Sequence, residues 1–186
     1  GYIWNIKDVM KRAEAGEKLT IGFIGGSITQ GSLSSTPQKC YAYLVYEWWV
    51  RTFPQAEFKY VNAGIGGTTS QFGVARAQDD LLDAEPDFVI AEFSVNDEST
   101  GHFEETYEGL VRKILSSKSH PALMLVHNVC YNNGASAELV HSRIARHYNI
   151  PSVSMQSTLY KALLNCRFDN RRITPDDLHT NDCGHE

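Results

Sequence analysis

The sequence predicts an α/β fold built on a parallel sheet, and two observations lead to that prediction. Short apolar runs typical of buried strands alternate with longer segments whose apolar residues recur at helical spacing. Strands that alternate with helices in this way form parallel sheets with helices on both faces. At 186 residues, the chain is long enough for one domain with a substantial core.

The first predicted helix precedes Gly16, a residue type that often follows a helix end. Its apolar face consists of Ile6, Val9, Met10 and Ala13.

The strand that follows, residues 19–24, is mostly apolar and ends in Gly25 and Gly26. Glycines allow a sharp turn and a close approach of the backbone to other groups. Ser27 comes directly after them, at the carboxyl end of a strand, where open α/β sheets place their ligands.

The remaining elements continue the alternation, although their periodicity does not reveal the order of the strands. They are a helix over about 38–53 that ends before Pro54, a strand at 58–62, a helix at 71–83, a strand at 88–93, a helix at 104–116, a strand at 122–126, a helix at 136–148 and a short strand at Val153.

Composition narrows the function classes. Hydrophobic residues make up 42% of the chain and charged residues 21%, as in ordinary soluble domains. The net charge of −5 argues against nucleic acid or an anionic membrane as a partner. No apolar run reaches membrane-spanning length, and the first residues, Gly1–Asn5, lack the basic and apolar regions of a signal peptide. The four widely spaced cysteines are expected to be mostly reduced, buried thiols, which fits a cytoplasmic location; a secreted protein whose signal peptide was removed is the alternative.

Polar groups suited to acyl transfer follow the predicted strands. Ser27 follows the first strand, Gly66 and Gly67 follow the second, and Asn96 follows the third. Near the end of the chain, a histidine stands three residues after an aspartate. Acyl transfer requires a nucleophile, a general base, a carboxylate that orients the base, and donors for the oxyanion.

Four segments resemble the conserved blocks of the SGNH hydrolases, also called GDSL-type esterases, in the order found in that family. They are Gly25–Gly31 around the serine, Val61–Ser70, Ser94–Asp97, and Asp176 with His179 followed by Gly184.

The resemblance implies a flavodoxin-like three-layer α/β/α sandwich and a Ser-His-Asp mechanism without metal or cofactor. Ser27 would be the nucleophile, His179 the base and Asp176 the orienting carboxylate. The oxyanion hole would consist of the Ser27 N–H, the Gly67 N–H and the Asn96 side-chain amide. Gly67 is preferred to Gly64 because the donor glycine of the family lies five residues after the asparagine of the second block.

Two residues outside this set remain alternatives. Asp177 competes with Asp176 for the orienting role. His127, at the end of a predicted strand, is a weaker candidate for contact with substrate, and the other histidines besides His179 are given no role. The glycine run near Gly66 lacks the Gly-Lys-Ser/Thr sequence of a phosphate loop, which argues against nucleotide binding.

One position departs from the family pattern, since Gly26 stands where the family usually has aspartate. The Gly-Gly-Ser-Ile-Thr form resembles carbohydrate esterases that remove acetyl groups, so we expect a serine esterase acting on short acyl esters, and specifically on O-acetyl groups of a carbohydrate. The alternatives are a lysophospholipase or thioesterase for longer acyl chains, and a non-catalytic binding module. Residues 1–186 are expected to form a single domain that lacks its C-terminal end, and a carbohydrate-binding domain outside this chain is one candidate for the remainder.

Overall fold

A five-stranded, all-parallel sheet forms the centre of the computed structural model, which describes residues 1–186. The strands are β1 (Lys18–Gly25), β2 (Glu57–Gly64), β3 (Phe88–Glu92), β4 (Ala122–His127) and β5 (Ser152–Ser154). They lie in the order β2-β1-β3-β4-β5. This is the doubly wound order of flavodoxin-like folds, and it confirms the predicted class.

Eight α-helices surround the sheet. They are α1 (Trp4–Glu14), α2 (Ser27–Gln30), α3 (Tyr41–Thr52), α4 (Ser70–Asp80), α5 (Gly101–Leu115), α6 (Glu138–His147), α7 (Lys161–Leu164) and α8 (Asp182–His185). Short 3₁₀ turns occur at Pro37–Lys39, Leu82–Ala84 and Asn170–Arg172, and a π-helical turn occurs at Gln156–Tyr160.

Two apolar layers cover the two faces of the sheet. Successive strand residues point to opposite faces, so Phe23 packs with Trp49 of α3 while Ile24 packs with Leu110 of α5. Helices α1 and α3 cover one face, and α4, α5 and α6 cover the other. The result is a three-layer α/β/α sandwich.

The predicted elements are present, with shifted ends. The helix expected over 38–53 is interrupted at Cys40, whose extended backbone separates the 3₁₀ turn at Pro37–Lys39 from α3. Proline is well tolerated at the first position of a helical turn, so Pro37 fits the start of the 3₁₀ turn and does not itself account for the break at Cys40.

The expectation of buried cysteines is wrong for most of them. All four thiols are free, but only Cys40 is buried, while Cys166 and Cys183 are exposed. Those two cysteines lie in the segment after β5, which consists of short helices and turns.

Parallel pairing in register brings the ends of three strands together. Gly25 of β1 pairs with Gly64 of β2 on one side and with Glu92 of β3 on the other. The segments that follow these three residues therefore leave the sheet side by side, and they carry the serine, the glycine pair and the asparagine that the sequence analysis selected.

Candidate active site

Ser27 is the first residue of α2, directly beyond the carboxyl end of β1. Gly31 ends this one-turn helix in the left-handed conformation, with φ of 96°. The N–H groups of a first helical turn have no acceptor within the helix. The Ser27 N–H is therefore left free beside its own hydroxyl group.

His179 and Asp176 lie against this serine although they are about 150 residues away in sequence. The His179 Nε2 atom is 2.8 Å from Ser27 Oγ, and the His179 Nδ1 atom is 2.7 Å from Asp176 Oδ2. Both distances are within hydrogen-bonding range. The serine hydroxyl, the imidazole and the carboxylate thus form one continuous hydrogen-bonded chain.

The loop that carries these residues holds the carboxylate by its second oxygen. Asp176 Oδ1 accepts hydrogen bonds from the backbone N–H of His179, at 2.7 Å, and of Leu178, at 3.1 Å. Burial alone would raise the pKa of Asp176, but the hydrogen bonds from the His179 ring and from both N–H groups lower it to about 2. Asp176 is therefore ionised at neutral pH.

Asp177 occupies a different place. Its side chain pairs with the Asn170 side chain, and its carbonyl oxygen accepts a 2.7 Å hydrogen bond from the Tyr131 N–H. Asp177 therefore anchors the loop to the segment after β4, and it is Asp176 that contacts the imidazole.

The glycine block lies beside the serine, and two of its N–H groups are already engaged. The Gly64 N–H donates to Asn62 Oδ1, and the Gly66 N–H donates to Gln30 Oε1, each at 2.9 Å. Gly67 has a φ of 71°, and its N–H donates to no acceptor in the protein backbone. Gly67, rather than Gly64, thus keeps a backbone donor that no acceptor of the protein uses.

Asn96 completes the group of residues that the structure brings together. Its carboxamide lies over Gly26, so closely that a Cβ added to Gly26 would overlap with Asn96 Oδ1 and lie 3.0 Å from Asn96 Cγ. Asn96 Oδ1 is buried and has no hydrogen-bond partner. The absence of a side chain at position 26 therefore gives the amide its place next to Ser27.

Three further contacts around the site involve residues to which the sequence analysis gave no role. Arg76, which is buried, donates a hydrogen bond from Nη2 to the Gly25 carbonyl at the end of β1. Asp97, next to Asn96, accepts hydrogen bonds from the Ser70 N–H and from His141. Because Asp97 adjoins Asn96 in the sequence, its location near the site could have been predicted. Nothing in the local sequence indicates that Arg76 or His141 lies there.

His127 does not reach the surface of the site. Its side chain is buried in the layer that contains His141, and neither ring nitrogen has a hydrogen-bond partner. Burial, together with the nearby His141, lowers the pKa of His127 to about 4. The expectation that it could contact substrate is therefore wrong for this arrangement of the chain.

Sequence comparison places the chain in a family. The model of the GDSL-like lipase/acylhydrolase family matches residues 23–186, which include all of the residues described above. The chain belongs to this family. It is also 30% identical over 149 residues to "Thioesterase 1/protease 1/lysophospholipase L1" of Escherichia coli K12, covering 75% of this chain and 67% of that protein.

Structure comparison finds a much more similar protein. A two-domain esterase described as active on acetylated mannans, co-crystallised with mannopentaose, is 70% identical, with a TM-score of 0.98 over all of this chain. The chain spans about half the length of that esterase, 51% of it. An acetylxylan esterase from Geobacillus stearothermophilus, 20% identical with a TM-score of 0.74 over 92% of this chain and 91% of its own, shares the fold.

No helix in the structure combines the length and apolar character needed to cross a membrane.

Proposed function

We propose that this domain is a serine esterase that removes O-acetyl groups from a carbohydrate, with acetylated mannan as the substrate. The observation that carries the chemistry is the hydrogen-bonded chain from Ser27 Oγ through His179 to Asp176, with both contacts under 3 Å. The observation that supports the substrate is the 70% identity to an esterase active on acetylated mannans.

The first half of the proposed reaction transfers the acetyl group to the enzyme. Ser27 Oγ attacks the acetyl carbonyl carbon while His179 Nε2 accepts the hydroxyl proton, and Asp176 stabilises the imidazolium that forms. His179 then gives the proton to the departing sugar oxygen, so a free sugar hydroxyl leaves and an acetyl-serine remains.

The second half returns the enzyme to its starting state. Water attacks the acetyl-serine, with His179 again accepting a proton, and the same proton returns to Ser27 Oγ as acetate leaves. Both halves pass through a tetrahedral oxyanion. We assign its stabilisation to the Ser27 N–H, the Gly67 N–H and the Asn96 amide, because these donors lie on the segments that leave the sheet side by side at this edge and no acceptor in the protein uses them.

Longer acyl chains are a less favoured substrate class. An apolar cavity of about 370 Å³ has walls that include Ile28, Val126 and Tyr131, but neither Ser27 nor His179 lines it. A long acyl chain needs an apolar groove that begins at the nucleophile. The thioesterase and lysophospholipase relative is also much less similar, at 30% identity.

The test is hydrolysis by the purified chain of acetylated mannan and acetylated xylan, followed by acetate release, together with a p-nitrophenyl ester series from acetyl to octanoyl. We expect the highest kcat/KM on acetylated mannan and, within the series, on the acetyl ester. Ser27→Ala should abolish activity, while Ser142→Ala should not change it, since Ser142 is a half-buried residue of α6 whose hydroxyl donates only to the Leu139 carbonyl of the same helix. A maximum at eight carbons would instead support the lysophospholipase alternative, and residual activity of Ser27→Ala within tenfold of the parent would refute the assigned nucleophile.

A further inference from the structure

A buried carboxylate and a buried imidazole face each other behind the candidate oxyanion hole. Asp97 Oδ2 lies 3.0 Å from His141 Nε2, and both side chains are fully buried. Neither residue contacts Ser27, His179 or Asp176. Burying ionisable groups is costly unless they are paired, so a pair of this kind in the core calls for an explanation.

His141 is held in one orientation by its surroundings. Its ring stacks on Tyr107 of α5, with the ring centroids 3.6 Å apart and the planes 12° from parallel. His141 Nδ1 is buried and has no hydrogen-bond partner, so the contact with Asp97 is the polar contact that this ring makes. Because a carboxylate accepts hydrogen bonds, the ring presents a protonated Nε2 to Asp97.

The other oxygen of Asp97 connects two segments of the candidate site. Asp97 Oδ1 accepts a 2.9 Å hydrogen bond from the backbone N–H of Ser70, the first residue of α4. Ser70 follows Gly67 by three residues, and its hydroxyl group lies 2.7 Å from Thr106 Oγ1 of α5. The start of α4 is thereby tied to Asp97 and to α5.

Asp97 is also part of the tight turn that carries Asn96. The N–H groups of both residues donate to the carbonyl oxygen of Phe93, at 3.0 and 2.9 Å. The carboxylate of Asp97 therefore joins the turn that holds the Asn96 amide to the segment that holds the Gly67 N–H. Oxyanion donors stabilise a transition state only when their positions are set in advance, and a displacement of 1 Å is sufficient to cost about 10²-fold in rate.

We propose that Asp97, oriented by His141, is a positioning residue that sets the separation between two oxyanion donors, the Gly67 N–H and the Asn96 amide. It touches no substrate atom and acts through those donors. This inference rests on the proposed esterase function, since it concerns the oxyanion hole of that reaction.

The test is a double-mutant cycle between Asp97→Asn and Asn96→Ala, measured as kcat and KM on p-nitrophenyl acetate. Asp97→Asn preserves the size of the side chain and removes the charge that the Ser70 N–H and the His141 ring contact. We expect kcat to fall about tenfold or more, with KM changed by less than about twofold, because the donors matter in the transition state. In the Asn96→Ala background, the same substitution should lower kcat by no more than about threefold, because residues that act through one another are not additive.

Asp87→Asn is the matched control. Asp97 follows the carboxyl end of β3, whereas Asp87 immediately precedes the amino end of that strand. Asp87 Oδ2 likewise accepts a hydrogen bond from a backbone N–H, that of Thr20, at 2.7 Å. It also pairs with Arg12. Its substitution should lower the midpoint of thermal unfolding and leave kcat unchanged. A merely structural role for Asp97 would make the two substitutions behave alike.

Three outcomes would overturn the proposal. They are a kcat for Asp97→Asn within twofold of the parent, an equal fold-loss in the parent and in the Asn96→Ala background, and a rise in KM without a fall in kcat. If Asp97→Asn does not fold, as judged by near-ultraviolet circular dichroism, His141→Phe decides the matter by the same criteria, since phenylalanine preserves the stack on Tyr107. Ser27→Ala distinguishes a failure of the proposed function from a failure of this inference. An active Ser27→Ala enzyme refutes the proposed function. An inactive Ser27→Ala enzyme, together with a parental kcat for Asp97→Asn, refutes only the role of Asp97.

Discussion

Gly26 stands between the end of β1 and Ser27, and its lack of a side chain leaves room for the Asn96 carboxamide. Its φ of −86° is accessible to any residue, so the requirement for glycine is one of space and not of backbone conformation. A Cβ at this position would overlap with Asn96 Oδ1 and lie 3.0 Å from Asn96 Cγ. Since nonbonded carbon atoms pack at about 3.5–4.0 Å, Gly26→Ala must displace the amide by up to roughly 1 Å.

The expected cost of Gly26→Ala follows from that displacement. Misplacing a catalytic group by about 1 Å costs about 10²-fold in rate, and complete loss of one oxyanion donor costs about 10²–10³ in kcat, or about 2.7–4 kcal/mol. We therefore expect kcat to fall between about 30-fold and 10³-fold, with a smaller change in KM. Gly26→Asp, which restores the residue usual in the family, should be at least as harmful here.

The assay is steady-state hydrolysis of p-nitrophenyl acetate, with thermal unfolding measured in parallel. Gly101→Ala is the matched control, because a Cβ at Gly101 would have no atom within 4 Å. That variant should retain the parental kcat. A folded Gly26→Ala enzyme whose kcat is within threefold of the parent would refute the reasoning, because the Asn96 amide would then have moved without consequence.

Three other perturbations test the electrostatics and the chemistry of the site. Asp176→Asn should lower kcat by as much as about 10⁴-fold throughout pH 5–9, because a carboxyl with a pKa of about 2 stays charged over that range; parental kcat at any of these pH values would contradict its role. The hydrogen bonds that Asp176 accepts also stabilise the folded state, fully above about pH 4, and this contribution is lost as the pH falls through 2. Urea unfolding from pH 5 to pH 2 should show the corresponding fall in the free energy of unfolding. Burial raises the pKa of Glu92 from 4.5 to about 7, so the folded state keeps a proton that the unfolded state releases, and stability falls as the pH rises between these values. Glu92→Gln should remove that fall, by up to roughly 3 kcal/mol between pH 4 and pH 8 in urea unfolding, and parallel curves for the two proteins would show the shift to be absent. Dialysis against a strong chelator should leave kcat unchanged, since no group of three or more His, Cys, Asp and Glu side chains is arranged to hold an ion; a loss that a divalent cation restores would argue for a metal mechanism.

Much of the sheet could be predicted from local pattern. The apolar run at 19–24 became β1, and the run at 88–93 became β3 with only its last residue outside the strand. Each run is buried on both faces, and this burial produces a continuous apolar segment in the sequence. The helix ends were less predictable, because Cys40 adopts an extended backbone that no residue pattern near it requires.

The candidate site, too, could be predicted only in part from local sequence pattern. Ser27, Asn96 and the glycine pair stand at strand ends, so alternation of strands and helices was sufficient to place them at one edge of the sheet. The segment after β5 carried no periodic signal, and its short helices and turns are set by contacts with distant parts of the chain, such as those of Asp182 with the Ser35 N–H and hydroxyl. The loop with His179 depends on such contacts for its position.

The sequence by itself determined the class of fold, which polar residues follow which strand, and the types of group available for acyl transfer. These features depend on neighbours in the chain. Only the tertiary structure decided that Asp176 and not Asp177 contacts His179, that Gly67 and not Gly66 keeps a free N–H, and that Asp97 meets His141 in the core. Each of those outcomes depends on which of several chemically similar groups lies within hydrogen-bonding distance of a partner far away in sequence. Register and packing set that distance, and local sequence does not encode it.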